Sequence, residues 1–437
     1  MWTSKAPTTP EEWGMTKEEV YAEPMLTPRG KEVARLTGEW FYHEAMRSGV
    51  AVIPSCDQVT IFSDEASRDL ATAKFWIDGF VCPNNTIIEI SDKNLPEMIP
   101  IVASASSIDG CNGTTEDQVL DMFPNRNVNA LTQEFYSSIE RVQEVLDIPW
   151  DATACTMVNK SFVPTQEDPC TLFKMPYECK LFVATVANSF FVCNHNKMRT
   201  YPHNAFFAFD IPFVDTGQVW RIFQDPLYYA QYFVQSWMWE YTSGVKNWAY
   251  GKLTVEELEE LFNMHVEFMK YSTNLYNSRA FGSEQLIYIL ASLNSAAKGE
   301  KVGGIEHDPL HQLVMFFSHG DNIFYLRNLL GVEWHLPSSD ATTSSMLRFE
   351  LMRNKVGKFF VRTSYVGSSP TNQRNAKSFI IDSPTVSYLI IPKCGEEMCP
   401  LASFQLAVLS SVNPKCMLGK MKDYAMSIME SYITSAM

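Results

Sequence analysis

Two stretches of this chain each run from an apolar strand into a polar turn that ends on a chemically active side chain. In the first, Gln58-Val-Thr-Ile-Phe-Ser-Asp-Glu-Ala-Ser-Arg68, β-branched and aromatic residues give way to an acidic turn and an arginine. In the second, Leu313-Val-Met-Phe-Phe-Ser-His-Gly-Asp321, a buried-strand pattern gives way to a histidine and a carboxylate. Ligands of open α/β sheets bind in the crevice beyond the carboxyl ends of the strands. An arginine and a histidine–acid pair delivered there suit phosphate-ester chemistry, because both can meet charge on oxygen.

The rest of the composition narrows the setting. The chain has 437 residues with 46% hydrophobic content, enough for one large core or two domains. Its formal charge of −15 argues against nucleic acid or an anionic membrane as the main partner. A phosphorylated substrate stays open, since a few arginines can dominate one pocket. No apolar run reaches the roughly 18–20 residues of a membrane span. The nearest, Leu181 to Val192, is broken by Thr185, Asn188 and Ser189 and reads as core.

Ten cysteines form no CxxC pair and no His/Cys cluster with zinc-finger spacing, so neither a metal nor another cofactor is expected. An even count spread over a large chain fits an oxidising compartment. The sequons at Asn84, Asn112 and Asn159 agree with it, and together they predict a secreted or secretory-lumen glycoprotein. Met1-Trp-Thr-Ser-Lys-Ala-Pro lacks the apolar stretch of a signal peptide, so the reading expects residues upstream that are missing here.

Along the chain, residues 1–25 read as a long polar loop. Pro28 opens a helix whose buried face is Val33, Leu36, Trp40 and Phe41. Val59 to Phe62 reads as a strand and Leu70 to Phe80 as a helix. From about Cys111 to Ala297 the pattern is helical and aromatic, with a capping box at Thr254-Val-Glu-Glu257. The aromatics of Asp225 to Tyr241 read as helical core. Asn294 to Gly304 reads as a polar linker, and strands return at Leu313, Lys358 to Tyr365 and Ser387 to Ile391. The expected fold is α/β: a central mixed or mainly parallel sheet with helices on both faces, from residues 1–111 and 298–437. An all-α domain is inserted at 112–297.

On these residues the chain resembles the histidine acid phosphatases and bacterial-type phytases (histidine phosphatase superfamily, branch 2). Leu26-Thr-Pro-Arg-Gly30 before a helix resembles the segment after that family's active-site loop. Ser63-Asp-Glu-Ala-Ser-Arg68 resembles its turn carrying a phosphate-binding arginine, and His319 falls at its second catalytic histidine. Leu329-Leu-Gly-Val-Glu-Trp-His-Leu-Pro337 and Cys394-Gly-Glu-Glu-Met-Cys-Pro400 continue the match. The resemblance implies a secreted phosphomonoester-hydrolase scaffold with no metal. It also implies disulfides Cys56–Cys82, Cys111–Cys416, Cys155–Cys170 and Cys394–Cys399, with Cys179 and Cys193 left as a candidate fifth pair.

The family's route needs a nucleophilic histidine in an Arg-His-Gly motif, arginines that grip the phosphoryl oxygens, and an acid that protonates the leaving group. Here Arg68 and His319 match. Gly320 replaces the usual acid, which leaves Asp321 as the candidate proton donor. No Arg-His-Gly occurs in the chain. Laying Lys5-Ala-Pro-Thr8 on the family's Arg-Ala-Pro puts Trp2 at the nucleophile's position and Lys5 at a phosphate-binding arginine's. The motif is therefore degenerate or truncated, and the chain as given is expected to be inactive. The alternative is an extracellular structural or binding pseudoenzyme, as a homo-oligomer or part of a larger assembly. The expected ligand is a phosphate monoester or a phosphate-like anion.

Overall fold

A computed structural model describes residues 26–47, 55–91, 111, 115–127, 129–146, 226–334, 342–377 and 386–436. Trp2, Lys5, Asn112, Asn159, Cys155, Cys170, Cys179 and Cys193 lie outside the described residues. The main elements in chain order begin with α1 (Pro28–Arg47), β1 (Val59–Asp64), α2 (Ser67–Gly79) and β2 (Ile87–Ile90). Then come α3 (Tyr136–Val145), α4 (Pro226–Thr242), α5 (Val255–Ser272), α6 (Leu275–Phe281) and α7 (Ser283–Lys298). The chain closes with β3 (Leu313–Phe317), α8 (Gly320–Leu330), β4 (Met346–Arg353), β5 (Phe359–Val366), β6 (Val386–Leu389), β7 (Met398–Pro400), α9 (Leu401–Ser411) and α10 (Gly419–Ala436).

Among the described residues, β1 is the middle of a three-stranded parallel sheet in the order β2-β1-β3. It pairs Ile61 with Ile87 on one side and Val59 with Leu313 on the other. Every residue of β1 is buried, and the reason lies on its two faces. Val59 and Ile61 pack with Ala73, Trp76, Ile77 and Phe80 of the α2 region. Phe62 points the other way, stacks on Phe316 at 5.2 Å and meets the edge of Tyr288 in α7. Helices on both faces make a continuous apolar run the stable solution for such a strand. A second sheet is antiparallel, with β4, β5 and β6 in order and β7 also on β5. The α/β class expected from the sequence holds. The parallel and antiparallel strands, expected in one sheet, form two among the described residues.

The chain divides into two compact units, one from Met1–Thr27 and Thr114–Ser272, the other from Pro28–Gly113 and Thr273–Met437. The first has its own core, including Val142 from α3, Val234 and Trp237 from α4, and Leu258, Leu261 and Met264 from α5. Its capping box forms as expected: Thr254 N–H donates to Glu257 at 2.8 Å and Glu257 N–H to Thr254 Oγ1 at 3.2 Å. Buried His265 bonds Gln231 at 2.8 Å and Gln235 at 3.2 Å across the α4–α5 contact, a satisfied core histidine.

The sequence reading put residues 273–297 in the helical insertion, but α6 and α7 belong to the α/β unit. Ser283 Oγ accepts from Asn413 N–H and Glu284 from Leu418 N–H. Asn294 donates to Gln405 and Tyr424. The expected linker from Asn294 is helical to Lys298 and stops at Gly299, whose φ of 72° suits a glycine cap. Asn294 and Ser295 there are buried and hydrogen-bonded rather than solvated. In the same unit His307 is buried, shares a 3.1 Å hydrogen bond with the Tyr288 hydroxyl, and is pushed down to about 4 by burial.

Among the described residues the disulfides are Cys56–Cys82, Cys111–Cys416 and Cys394–Cys399. The first ties the entry of β1 to the exit of α2, and the second joins residues 305 apart. No helix among the described residues is long and apolar enough to cross a membrane.

Helices α1 and α2 cross with their backbones in direct contact. A Cβ on Gly38 would sit 2.0 Å from the Trp76 carbonyl oxygen, and one on Gly79 would sit 1.9 Å from that of Arg35. Neither neighbour can yield without moving a helix. Gly79→Ala is therefore expected to destabilise the protein by about 1–3 kcal/mol or more. Denaturant unfolding measures it, and an unchanged midpoint would contradict the crossing.

Candidate anion-binding site

The site follows from strand order. β1 and β3 are parallel neighbours, registered so that Ser63 lies beside Phe317, and each hands over to a helix within a few residues. After β1, Asp64 Oδ1 accepts from Ala66 N–H at 3.0 Å, a short turn that starts α2 at Ser67. Arg68 and Asp69 fall in the first turn of α2. After β3, His319 is the N-cap of α8 with extended backbone angles. Two helix N-termini therefore begin side by side, each presenting the positive end of its dipole.

The side chains form a chain of contacts. Arg68 Nη2 lies 2.9 Å from His319 Nδ1. His319 Nε2 lies 3.1 Å from Asp64 Oδ2. Asp69 Oδ2 stands 3.8 Å from His319 Nδ1 and 4.0 Å from Arg68 Nε. The neutral imidazole satisfies both short contacts: Nε2–H donates to Asp64 while the Nδ1 lone pair accepts from Arg68.

Charge environment separates the two carboxyls. The hydrogen bond to Asp64 holds His319 above its ordinary 6.5, against burial and the Arg68 charge. Burial works against ionised Asp64, yet the His319 bond and charge, with the Ala66 N–H, keep it below its ordinary 3.8. Asp69 goes the other way: burial, then the Asp64 charge, push it up to about 6.

Asp321 occupies the first turn of α8. Its charge acts on buried Tyr325, whose hydroxyl is raised mainly by burial. The carboxyls gathered at His319 are Asp64 and Asp69, whose donor atoms lie with it within 4.8 Å. These are metal-ligand residue types, but the two carboxylates meet opposite ring nitrogens and a guanidinium stands among them. That arrangement favours an anion held by Arg68 and the helix N-termini over a cation.

The structure thus brings together Arg68 and His319, which the sequence singled out, and adds Asp64 and Asp69, which it did not. The signal for both was available: Asp64 closes the strand and Asp69 directly follows the arginine. Asn84 is exposed in the turn before β2.

The sequence profile of the histidine phosphatase superfamily, branch 2, matches residues 6–366, and the chain belongs to that family. Solved structures of similar fold include the Hafnia alvei phytase in complex with tartrate, at TM-score 0.68 and 18% identity over 96% of this chain and 92% of that one. The Citrobacter braakii phytase gives 0.65 and 17% over 95% and 93%. The phytase of Klebsiella sp. ASR1 gives 0.61 and 15% over 94% and 92%. No curated protein matches the chain.

Linkage makes the site testable through stability. His319, raised on folding, stabilises below 6.5, and that contribution fades as pH rises through its folded value. Asp64, lowered, stabilises above 3.8 and fades as pH falls through its own. Asp69, raised, costs stability as pH climbs from 3.8 to about 6, and the cost persists above. At about pH 7.5, Asp64→Asn should lose about 1–3 kcal/mol while Asp69→Asn gains stability. Urea unfolding at that pH and at about pH 4.5, where the gain from Asp69→Asn should be clearly smaller, checks the signs. Equal losses in both variants would refute the assignment.

Proposed function

We propose that this protein binds phosphate monoesters, or an anion of the same charge and shape, where α2 and α8 begin. One observation carries the reading: the Arg68 guanidinium, the His319 imidazole and the Asp64 carboxylate are linked in line at two adjacent helix N-termini. Arg68 still has N–H groups to offer a phosphoryl oxygen while one serves His319. Asp64 orients the ring, so the Nδ1 side faces the arginine.

Binding is what these residues support directly. Phosphoryl transfer through a phosphohistidine needs a second imidazole as nucleophile, and the chain contains no Arg-His-Gly to supply it. Trp2, at the aligned position, cannot carry a phosphoryl group, and Lys5 offers a point charge in place of a guanidinium fork. The second reading is a phosphomonoester hydrolase, favoured by the intact Asp64–His319–Arg68 chain. The Hafnia alvei phytase also has a structure with myo-inositol hexakis sulphate, so a polyanionic ring is a sensible probe beside inorganic phosphate.

Calorimetry should show phosphate binding that Arg68→Ala weakens roughly 10–100-fold, the equivalent of one charge-assisted contact. Equal affinity in the variant would remove Arg68 from the site. Turnover of p-nitrophenyl phosphate by the full chain, abolished in His319→Ala, would favour the hydrolase reading over simple binding.

The three disulfides and the exposed Asn84 sequon support a secretory-pathway protein. Mass mapping without reductant should recover these bridges together with Cys155–Cys170, and a glycan at Asn84. Free thiols at Cys56, Cys82, Cys111 and Cys416 in protein from its native source would overturn the compartment.

A further inference from the structure

We propose that Asp69 is the exchangeable acid of this pocket: protonated, it donates a hydrogen bond to the anion that Arg68 holds, and ionised, it repels that anion. The inference rests on the anion-binding reading and adds to it a residue and a pH dependence.

The geometry singles out Asp69 among the nearby carboxyls. Asp64 has both oxygens engaged, by Ala66 N–H and by His319. Asp69 is 8% exposed, and its Oδ2 is buried with no hydrogen-bond partner. That oxygen lies beside the Arg68–His319 hydrogen bond, where a bound oxyanion would meet the guanidinium. An ionised, buried and unbonded carboxylate oxygen is costly, whereas a carboxyl O–H facing an anion is a satisfied donor.

The charged groups acting on it come from three places: Asp64 at the end of β1, His319 at the β3–α8 junction and Arg68 on its own helix. His319 and Arg68 favour its ionised form, as does the N-terminus of α2. Burial and the Asp64 charge, with a hydrogen bond to the Asp64 carboxylate that competes for the same proton, outweigh them and push it up to about 6. Asp69 thereby becomes neutral in mildly acidic solution, while Asp64 stays ionised and keeps His319 in place. The acid missing at Gly320 is replaced from the neighbouring strand–helix turn rather than by Asp321.

In the binding step Asp69 takes a proton from solvent and keeps it, sharing it with an oxygen of the anion. No covalent bond forms. Sulfate is the probe, because it stays a dianion throughout the range tested. The full chain labelled with [13Cγ]aspartate is titrated with and without saturating sulfate, the Asp69 signal being the one lost in Asp69→Asn.

The expected midpoint lies near 6 without sulfate and moves up with it. At about pH 7.5, Asp69→Asn should bind sulfate roughly tenfold tighter than the unaltered protein, and at about pH 5 the two should agree within about twofold. A midpoint in the ordinary carboxylate range, a midpoint unmoved by sulfate, or no gain at the higher pH would each overturn the proposal. If the unaltered protein binds no sulfate or phosphate even at about pH 5, the anion-binding reading itself fails. Binding that persists with an unmoved Asp69 signal defeats only the role given to Asp69.

Discussion

The pairing of β1 with β3 is the constraint on which everything chemical in this protein depends. It puts Arg68 and His319, 251 residues apart, within hydrogen-bond reach. Each strand is short and immediately followed by a helix, so pairing the strands in parallel also pairs the helix starts. A shift of register by one residue would turn Phe62 away from Tyr288 and Phe316 and bring Ile61 to their side. The stacked and edge-on aromatics on one face, and the Trp76–Phe80 stack beneath the other, therefore act together to fix where the site forms. Cys56–Cys82 closes the β1–α2 unit at its far end and limits the unfolded chain as well.

Within that frame, two aspartates five residues apart in the chain acquire opposite characters from their surroundings alone. Asp64 gains an N–H and an imidazole, which reward its charge. Asp69 meets burial and a like charge, which outweigh the pull of His319 and Arg68 at 3.8 and 4.0 Å. Carboxyls pushed apart in this way divide acid and base roles in many phosphoryl and glycosyl sites. The same separation arises here because the imidazole meets the two aspartates through its two nitrogens and the guanidinium stands beside them.

Much of this was legible in the residues. The apolar runs at Val59 and Leu313, the N1 proline at Pro28 and the capping box at Thr254 each signalled an element by local rules, and each element formed. Arg68 and His319 stood out because a strand C-terminus is where side chains can converge. What local rules missed has a common cause in long-range contacts. Asn294 reads as linker because its partners, Gln405 and Tyr424, are supplied by a distant part of the chain. β2 and β4 give no clear strand pattern because most of their residues are partly buried and charge interrupts them, so pairing makes them strands. Asp69 was passed over since an acid in a first helical turn is ordinarily a solvated dipole partner. Its burial comes from neighbours that the sequence does not place beside it.

The energetic cost of Asp69 is itself an argument about function. An asparagine at that position would keep the shape of the side chain and remove the penalty of a buried charge. A serine or threonine would add a hydroxyl at lower desolvation cost. The carboxyl instead sits where it opposes the Asp64 charge, strains the balance on His319 and leaves an oxygen unbonded. Locally unfavourable groups persist where the surrounding structure holds them in place, and such groups concentrate at binding and reaction sites. The glycine-mediated crossing of α1 and α2, the filled sheet faces and the bridge at Cys56 provide that support around the first turn of α2. The stability of the β1–α2 unit thus holds in position a residue whose own charge works against it, and the position it holds is the one facing the arginine.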